Sequence, residues 1–244
     1  MLREVVTAAG WIGEGRVAAL TGAGISVDSG IPDFRSAGGL WERFDPMEYA
    51  TIEAFRRDPD RVWKMLREMG ELIETARPNA GHEALAGLEA RGLLDAIVTQ
   101  NVDDLHQAAG SKGVIEFHGN ARDIRCALCG DRAPEPVPDA GDRAPRCTCG
   151  GVLRPMVVFF GEPIPAGALE QATDAATSCR TMLVVGTSAT VAPASLIPML
   201  AKRAGARLIE VNLERTALSG VVDLALVGRS ATEVLPEILR ALDS

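Results

Sequence analysis

Four cysteines in two close pairs are the side chains of this sequence with the clearest chemistry. Cys126 and Cys129 form a C-x2-C pair, and after seventeen intervening residues Cys147 and Cys149 form a C-x-C pair. Sulfur ligands at this spacing are typical of a tetrahedral zinc site. Four thiolates leave no open coordination position, so we expect a structural metal and look for the chemistry elsewhere. The alternative is a set of buried or disulfide-bonded cysteines, which would suit a secreted protein.

Two polar segments near the N-terminus could contact a phosphate group. Gly22, Ala23 and Gly24 follow an apolar run, and glycines let a backbone approach a pyrophosphate. The third glycine of the dinucleotide fingerprint would fall at Val27, so the fingerprint is incomplete and a plain tight turn remains open. In residues 30–35, the base Arg35 could pair with phosphate and the ring of Phe34 could cover another ring. A structural loop closed by a pair between Asp33 and Arg35 is the alternative.

Amide and acidic side chains follow the second apolar run. Gln100 and Asn101 suit hydroxyl and carboxamide partners, and Asp103 can accept from an amide NH2 group. Helix capping by Asn101 or Asp103 is the alternative. His118 is one of three histidines, and a pKa near neutrality suits a general base. A structural histidine with satisfied hydrogen bonds is the alternative for His118.

A further apolar run ends in glycine and an acid. Such a segment could offer its backbone to an extended peptide, although a strand inside a sheet has the same pattern. The residues of the run are Val158, Phe159, Phe160, Gly161 and Glu162.

Apolar strands alternate with helical patterns along most of the chain. Strands are indicated at residues 17–20, 93–99, 182–185, 208–211 and 224–227. Helical patterns fall at residues 80–90, 166–178, 193–204 and 232–242. This alternation predicts an α/β fold with a doubly wound, Rossmann-like parallel sheet, which binds ligands at the carboxyl ends of its strands.

Two segments interrupt the alternation and are expected to be insertions. Residues 36–76 are rich in charge and aromatic rings and read as a helical insert, with a helix over 58–76. Residues 121–155 hold the four cysteines and many prolines and read as a zinc-binding module. The sheet domain would then comprise residues 1–35, 77–120 and 156–244.

Composition narrows the class of protein. The 244 residues carry a net charge of −8, which argues against broad electrostatic binding to nucleic acid or to an anionic membrane. No apolar run approaches the roughly 20 residues of a membrane span, and the N-terminus lacks the core of a signal peptide. We therefore expect a cytoplasmic protein, whose reducing surroundings suit cysteines used for metal.

Taken in order, these motifs resemble those of the sirtuins, the NAD-dependent protein-lysine deacylases. More than six motifs match in register from Thr21 to Asn212. They are 22–26 (G-A-G-I-S), 30–35 (G-I-P-D-F-R), 99–103 (T-Q-N-V-D), 105–107 (L-H-Q), 118–119 (H-G), the four cysteines, 154–155 (R-P), 158–162 (V-F-F-G-E), 186–188 (G-T-S) and 211–212 (V-N).

The resemblance implies an NAD site at the strand ends. The pyrophosphate would meet Ala23, Arg35 and the 186–188 loop. Asn212 would hold the adenosine ribose and Ala231 would border the adenine. Asp103 would hold the nicotinamide carboxamide, while Asn101 and Gln100 would hold the nicotinamide ribose. The full implied set is Gly22, Ala23, Gly24, Asp33, Phe34, Arg35, Gln100, Asn101, Asp103, Gly186, Thr187, Ser188, Asn212 and Ala231.

The resemblance also implies a reaction, with His118, Asn101 and Asp103 as its catalytic residues. The acyl oxygen of the lysine would attack the ribose carbon as nicotinamide leaves. His118 would then act as general base through a ribose hydroxyl. The products would be free lysine, nicotinamide and O-acyl-ADP-ribose. The acylated peptide would lie extended between the two domains, against residues 158–162.

The helical insert bears on the acyl group. Relatives that remove succinyl or malonyl groups carry Tyr-x-x-Arg there. An alignment on residues 61–63 places Leu66 and Met69 at the matching positions. Neither side chain can bind an anion, so we expect removal of acetyl or a longer neutral acyl group rather than succinyl.

Three other functions use some of the same motifs. A protein mono-ADP-ribosyltransferase would share the NAD motifs and differ only in the acceptor. A zinc-ribbon nucleic-acid binder is disfavoured, because residues 121–155 hold six Arg against five Asp or Glu. An NAD dehydrogenase is disfavoured by the missing third glycine.

Overall fold

Six parallel strands form the central sheet in the computed structural model of the chain, which describes residues 3–33 and 39–243. The strands in chain order are β1 (Val17–Thr21), β2 (Leu94–Thr99), β3 (Val114–Glu116), β4 (Gly119–Cys126), β5 (Leu153–Val157), β6 (Thr181–Val185), β7 (Arg207–Asn212) and β8 (Leu224–Val227). The large sheet has the order β3-β2-β1-β6-β7-β8, and β4 pairs with β5 in a separate antiparallel sheet.

Helices cover both faces of the large sheet. The helices in chain order are α1 (Arg3–Gly13), α2 (Leu40–Arg43), α3 (Pro46–Tyr49), α4 (Ile52–Arg57), α5 (Pro59–Thr75), α6 (Ala80–Ala90), α7 (Leu105–Ala108), α8 (Ala166–Ser178), α9 (Ile197–Arg203) and α10 (Ala231–Ala241). One apolar core joins α1, α6 and α10 to one face, and a second joins α8 and α9 to the other. The central strands are thus buried on both faces, which explains their unbroken apolar sequences.

The order of the strands creates a topological switch point between β1 and β6. From β1 the chain proceeds outward through β2 to β3, and it later returns to β6 on the other side of β1 and proceeds to β8. Loops that leave neighbouring strands in opposite directions open a crevice at their carboxyl ends. A ligand site is therefore expected beyond Thr21 and Val185, the last residues of β1 and β6.

The helical segment and the cysteine-containing segment pack against each other beside this crevice. The indole Nε1 of Trp63 in α5 donates to the carbonyl of Leu153 in β5 at 2.8 Å. Asp60 accepts from the backbone N–H of Ala144 at 2.8 Å. An apolar cluster that includes Phe55, Trp63 and Phe159 joins the two segments. The division into domains stays a prediction.

Several bounds match the sequence patterns and others differ for local reasons. α6, α8 and β8 begin and end as predicted. The helix expected over 193–204 is a 3-10 turn at Ala194–Leu196 followed by α9, which has a proline in its first turn. The segment 158–162 lies beyond the end of β5. No helix within residues 3–33 or 39–243 is long and apolar enough to cross a membrane.

Candidate active site

A cavity of about 1230 Å³ opens at the switch point and extends toward α5. Every described residue of the implied NAD and peptide sites lines it, and so does His118. They are Gly22, Ala23, Gly24, Asp33, Gln100, Asn101, Asp103, His118, Val158, Phe159, Phe160, Gly161, Glu162, Gly186, Thr187, Ser188, Asn212 and Ala231. Phe34 and Arg35 lie outside the described residues.

The glycines after β1 and β6 allow two backbone loops to touch. A Cβ atom on Gly24 would lie 2.7 Å from the carbonyl oxygen of Gly186, and one on Gly22 would lie 2.7 Å from Cβ of Thr187. Gly186 has a φ of +57°, and a Cβ there would lie 2.4 Å from the backbone N of Ile25. Close packing of the loops therefore accounts for these glycines, a reason that differs from both the approach to a pyrophosphate and the plain tight turn considered from the sequence.

A buried hydrogen-bond network joins Asn101 to Asp103 through Ser26. The Ser26 hydroxyl donates to Asp103 Oδ2 at 2.7 Å and accepts from Asn101 Nδ2 at 3.1 Å. Asp103 Oδ1 accepts from the backbone N–H of Leu105 at 3.0 Å. Asn101 and Asp103 are 8% and 7% exposed. Both side chains are thus held in fixed orientations at the base of the cavity.

Two buried histidines support this network in their neutral forms. His82 Nδ1 accepts from the backbone N–H of Asn79, so Nε2 carries the proton and faces the Ser26 hydroxyl at 3.4 Å. Burial lowers the pKa of His82 to about 4, against an opposing effect of Asp103. His106 Nε2 lies 2.9 Å from the Thr21 hydroxyl, and burial lowers the pKa of His106 to about 3.

His118 lies between the loop that holds Gln100 and Asn101 and the segment 158–162. Its Nδ1 is 3.1 Å from the carbonyl oxygen of Gln100, which can only accept, so Nδ1 carries the proton and Nε2 keeps a lone pair. Its own carbonyl accepts from the Val158 N–H at 2.9 Å. Burial lowers the pKa of His118, and the bond to Gln100 opposes this in part. The imidazole is thus a neutral base at pH 7.

Thr187 organises the loops after β2, β6 and β7. Its hydroxyl accepts from Gln100 Nε2 at 3.0 Å, and its carbonyl accepts from Asn212 Nδ2 at 2.9 Å. The hydroxyl of the next residue, Ser188, lies 3.0 Å from that of Thr190. Gln100 and Asn212 are therefore held at the cavity wall, where the amide oxygen of Asn212 also accepts from the Leu213 N–H at 3.1 Å. At the far end, Ala231 is the first residue of α10.

Asp104 has a separate role from that of its neighbour Asp103. Its φ of 60° lies in the left-handed region, which asparagine, aspartate and glycine tolerate best. Its carboxylate forms an ion pair with Arg122 of β4, and Arg122 also pairs with Glu116 at 2.6 Å. Asp104 thus links the loop after β2 to the sheet that leads into the cysteines.

The segment 158–162 is fixed by neighbours on both sides. The Phe160 N–H donates to the Ala50 carbonyl at 2.9 Å, and the Ile52 N–H donates to the Phe160 carbonyl at 3.0 Å. The Phe160 ring remains 41% exposed within the cavity. Glu162 does not offer a free carboxylate to a ligand, because both of its oxygens accept from Arg154.

The cavity wall formed by α5 is apolar. Trp63, Leu66, Met69 and Ile73 recur at helical spacing and line it on one face of the helix. Arg67 is the cationic residue of α5 in this wall, and its guanidinium donates to the Arg143 carbonyl and lies over the Trp63 ring. The wall thus suits an uncharged group.

The four cysteine sulfurs cluster at the end of the small sheet. Their Sγ atoms all lie within 4.8 Å of one another. The Cys126–Cys149 and Cys129–Cys147 sulfur distances are 3.5 and 3.8 Å. Zn–S bonds of about 2.3 Å in a tetrahedron separate sulfurs by about 3.8 Å. The donor set and its geometry therefore fit a zinc ion, and four sulfurs would saturate it.

Two residues of the polar network, Ser26 and His82, carry no separate assignment from the sequence. Ser26 lies inside the glycine-rich motif, which is a usable signal. His82 stands three residues after Asn79, and this spacing indicates only the start of α6. Its contact with Ser26 joins residues far apart in the chain and has no local signature.

Comparisons with known proteins agree with this geometry. The "NAD-dependent protein deacylase 2" of Pyrobaculum aerophilum is 50% identical over 90% of this chain and 88% of its own length. The "NAD-dependent protein deacetylase 1" of Geobacillus kaustophilus is 43% identical over 96% of each chain. A solved Sir2 homolog–NAD complex superposes with a TM-score of 0.89 at 41% identity, covering 96% of this chain and 92% of that one. A Sir2–p53 peptide–NAD+ structure gives a TM-score of 0.86 at 36% identity, with 95% of each chain covered. The Sir2 family profile matches residues 22–193, and the chain belongs to this family.

Proposed function

We propose that this chain removes acetyl or other neutral acyl groups from protein lysines with NAD as cosubstrate. Membership of the Sir2 family and relatives named as NAD-dependent deacylases support this reaction class. The single observation that carries the assignment within the structure is the position of His118. Its ring bonds to the loop of Gln100 and its backbone bonds to Val158, so a neutral base stands between the two halves of one cavity.

The cavity has the features that an NAD site requires. The tightly packed glycine loops line the cavity and would offer backbone groups to a pyrophosphate, and Asn212, which also lines it, would bind a ribose hydroxyl. Asp103 and Asn101 would face the nicotinamide half. When bound, NAD supplies the ADP-ribosyl group that accepts the acyl group as nicotinamide departs. The 158–162 segment would align the peptide so that the acyl-lysine enters between these groups.

His118 would receive a proton at Nε2 from a ribose hydroxyl. Its Nδ1–H bond to the Gln100 carbonyl fixes the tautomer that leaves Nε2 basic. Burial keeps the ring neutral at physiological pH, so the base needs no prior deprotonation. Asn101 and Asp103, clamped by Ser26, would orient the nicotinamide ribose and its carboxamide without taking the proton.

The apolar wall of α5 supports a neutral acyl group. Leu66 and Met69 line the cavity at the positions where a succinyl-binding pair would stand. Arg67 also lines the cavity, but its guanidinium donates to the Arg143 carbonyl and lies over the Trp63 ring. A carboxylate placed against Leu66 and Met69 would lose hydration without gaining a partner from either side chain, which disfavours succinyl and malonyl groups.

We further propose a purely structural zinc site and a cytoplasmic location. Cys126, Cys129, Cys147 and Cys149 would hold the ion, which would close the loop between β4 and β5. A reducing compartment keeps four such thiols available for metal.

The test is turnover of a His118→Ala variant on acetyl-, octanoyl- and succinyl-lysine peptides. We expect loss of deacylation by at least about 100-fold, with an unchanged circular dichroism spectrum. A folded variant with near-normal turnover would remove His118 from its role. Comparable wild-type turnover of succinyl and acetyl peptides would overturn the acyl preference. ADP-ribose attached to protein without deacylation would favour the mono-ADP-ribosyltransferase.

A further inference from the structure

A partly buried ion pair joins β5 to the last residue of the segment 158–162. Arg154 in β5 donates through two guanidinium nitrogens to the two carboxylate oxygens of Glu162, at 2.7 Å each. The side chains are 12% and 22% exposed. A bidentate pair with this geometry fixes both partners in orientation as well as in distance.

Both members of the pair also bond to the backbone of the segment. The Arg154 guanidinium donates to the Val157 carbonyl at 2.7 Å. The Glu162 carboxylate accepts from the Phe159 N–H at 3.0 Å, and the Glu162 N–H donates back to the Phe159 carbonyl at 3.0 Å. The turn that carries the peptide-facing residues therefore closes on this pair.

The pair further couples the segment to the helical insert. The Arg154 guanidinium lies 4.7 Å from the ring centroid of Phe159 and 5.5 Å from that of Phe55 in α4. The two rings are stacked at 5.5 Å. The Arg154 guanidinium thus contacts β5, the segment 158–162 and α4.

The pair is ionised at neutral pH. Burial alone would raise the pKa of Glu162, but the bonds from Arg154 and from the Phe159 N–H outweigh it and hold that pKa below its usual value. The described contacts of the pair include no residue of the 22–24 or 186–188 loops.

We infer that Arg154 and Glu162 are positioning residues that set the affinity for the acyl-lysine peptide by fixing the backbone of residues 157–162. This inference rests on the proposed role of that segment in peptide binding. It assigns to Glu162 an indirect role, in place of the direct peptide contact expected from the sequence. Because the pair stands apart from the nucleotide loops, it should affect the peptide and leave NAD binding unchanged.

The decisive variant is Glu162→Gln, which keeps the shape of the side chain and removes its charge. We expect the KM for an acetyl-lysine peptide to rise at least about tenfold, because Arg154 loses its ionised partner and the turn loses one of its closing contacts, while the KM for NAD stays within about twofold. Arg154→Met should have a similar effect. The double variant should add little to either single one, since both remove the same interaction.

The matched control is Glu237→Gln. Glu237 forms a second bidentate pair, with Arg229, at 2.7 and 2.8 Å, and its side chain is 28% exposed on α10. This variant should leave the KM for the peptide at the wild-type value.

Three outcomes would overturn the inference. They are an unchanged peptide KM in Glu162→Gln, an equal rise in the KM of peptide and NAD, and failure of Glu162→Gln to fold, which would assign the pair to stability alone. Assaying the wild-type protein in parallel distinguishes failure of the positioning role from failure of the proposed function. Absence of NAD-dependent deacylation by the wild type would refute the function itself, whereas an active wild type with an unaffected variant refutes only the positioning role.

Discussion

Replacing Gly186 with alanine should weaken NAD binding by forcing two backbone loops apart. Gly186 has a φ of +57°, and a Cβ atom on it would point at the turn that follows β1. A Cβ atom would stand 2.4 Å from Ile25 N and 2.6 Å from Gly24 C. Both contacts are with backbone, so no side-chain rotation can relieve them.

The size of the effect follows from the overlap. Restoring an ordinary contact of 3.4 Å to Ile25 N requires a displacement of 1.0 Å between the loops. A misplacement of about 1 Å in a binding site can reduce catalysis about 100-fold. The left-handed conformation of alanine adds a stability cost of about 1–2 kcal/mol. We therefore expect kcat/KM for NAD to fall about 100-fold, mostly through a higher KM.

The matched control is Gly92→Ala. Gly92 has a φ of +69°, but its Cβ would meet nothing within 4 Å, and it precedes the amino end of β2, whereas the cavity lies at the carboxyl ends of the strands. It carries the conformational cost without the overlap. Steady-state NAD titrations and thermal unfolding of both variants separate the two effects. NAD affinity of a folded Gly186→Ala protein within twofold of wild type would refute the reasoning.

Three further predictions test other parts of the site. The Cys126→Ala protein should lose stoichiometric zinc, and its small sheet should be destabilised, as measured by metal analysis and limited proteolysis. The control Cys179→Ala, which lies outside the cluster, should retain the metal. Full activity without zinc would contradict the structural role. Met69→Arg should lower turnover of octanoyl peptide and raise that of succinyl peptide, and a uniform loss on all peptides would contradict the assignment of the apolar wall. The acid limb of kcat/KM should lie below pH 6.5, because His118 acts in its neutral form and its pKa is lowered; a limb above pH 6.5 would contradict that base.

The sequence predicts the inner strands of the central sheet well because helices cover them on both faces, whereas the short outer strand β3 is not among the predicted strands. A strand that is buried on both faces, as in a parallel sheet, has an unbroken apolar sequence such as that of residues 182–185. The amphipathic patterns of α6 and α8 likewise mark their bounds. The helix α1 is not among the helices predicted from the sequence, although Val5, Ala8 and Ile12 recur in it at helical spacing.

The residues of the candidate site that belong to local motifs can be predicted from the sequence. Contacts between residues that are distant in the chain cannot. The four cysteines and the glycine-rich turn have local spacing, so their convergence can be expected. The contact of Ser26 with Asp103 spans 77 residues and depends on the packing of two loops. The Arg154–Glu162 pair is eight residues apart, a separation too long for direct pairing along one helix or one strand, so the pair depends on the turn after β5. Such pairs become visible only when the fold brings them together.

NAD-dependent deacylation is tested by mass spectrometry of an acetyl-lysine peptide incubated with the wild-type protein, with and without NAD. The peptide and the small molecules are followed in the same reaction. We expect loss of the acetyl group only when NAD is present, with equal amounts of nicotinamide and O-acetyl-ADP-ribose formed. Consumption of NAD with the peptide still acetylated would contradict it.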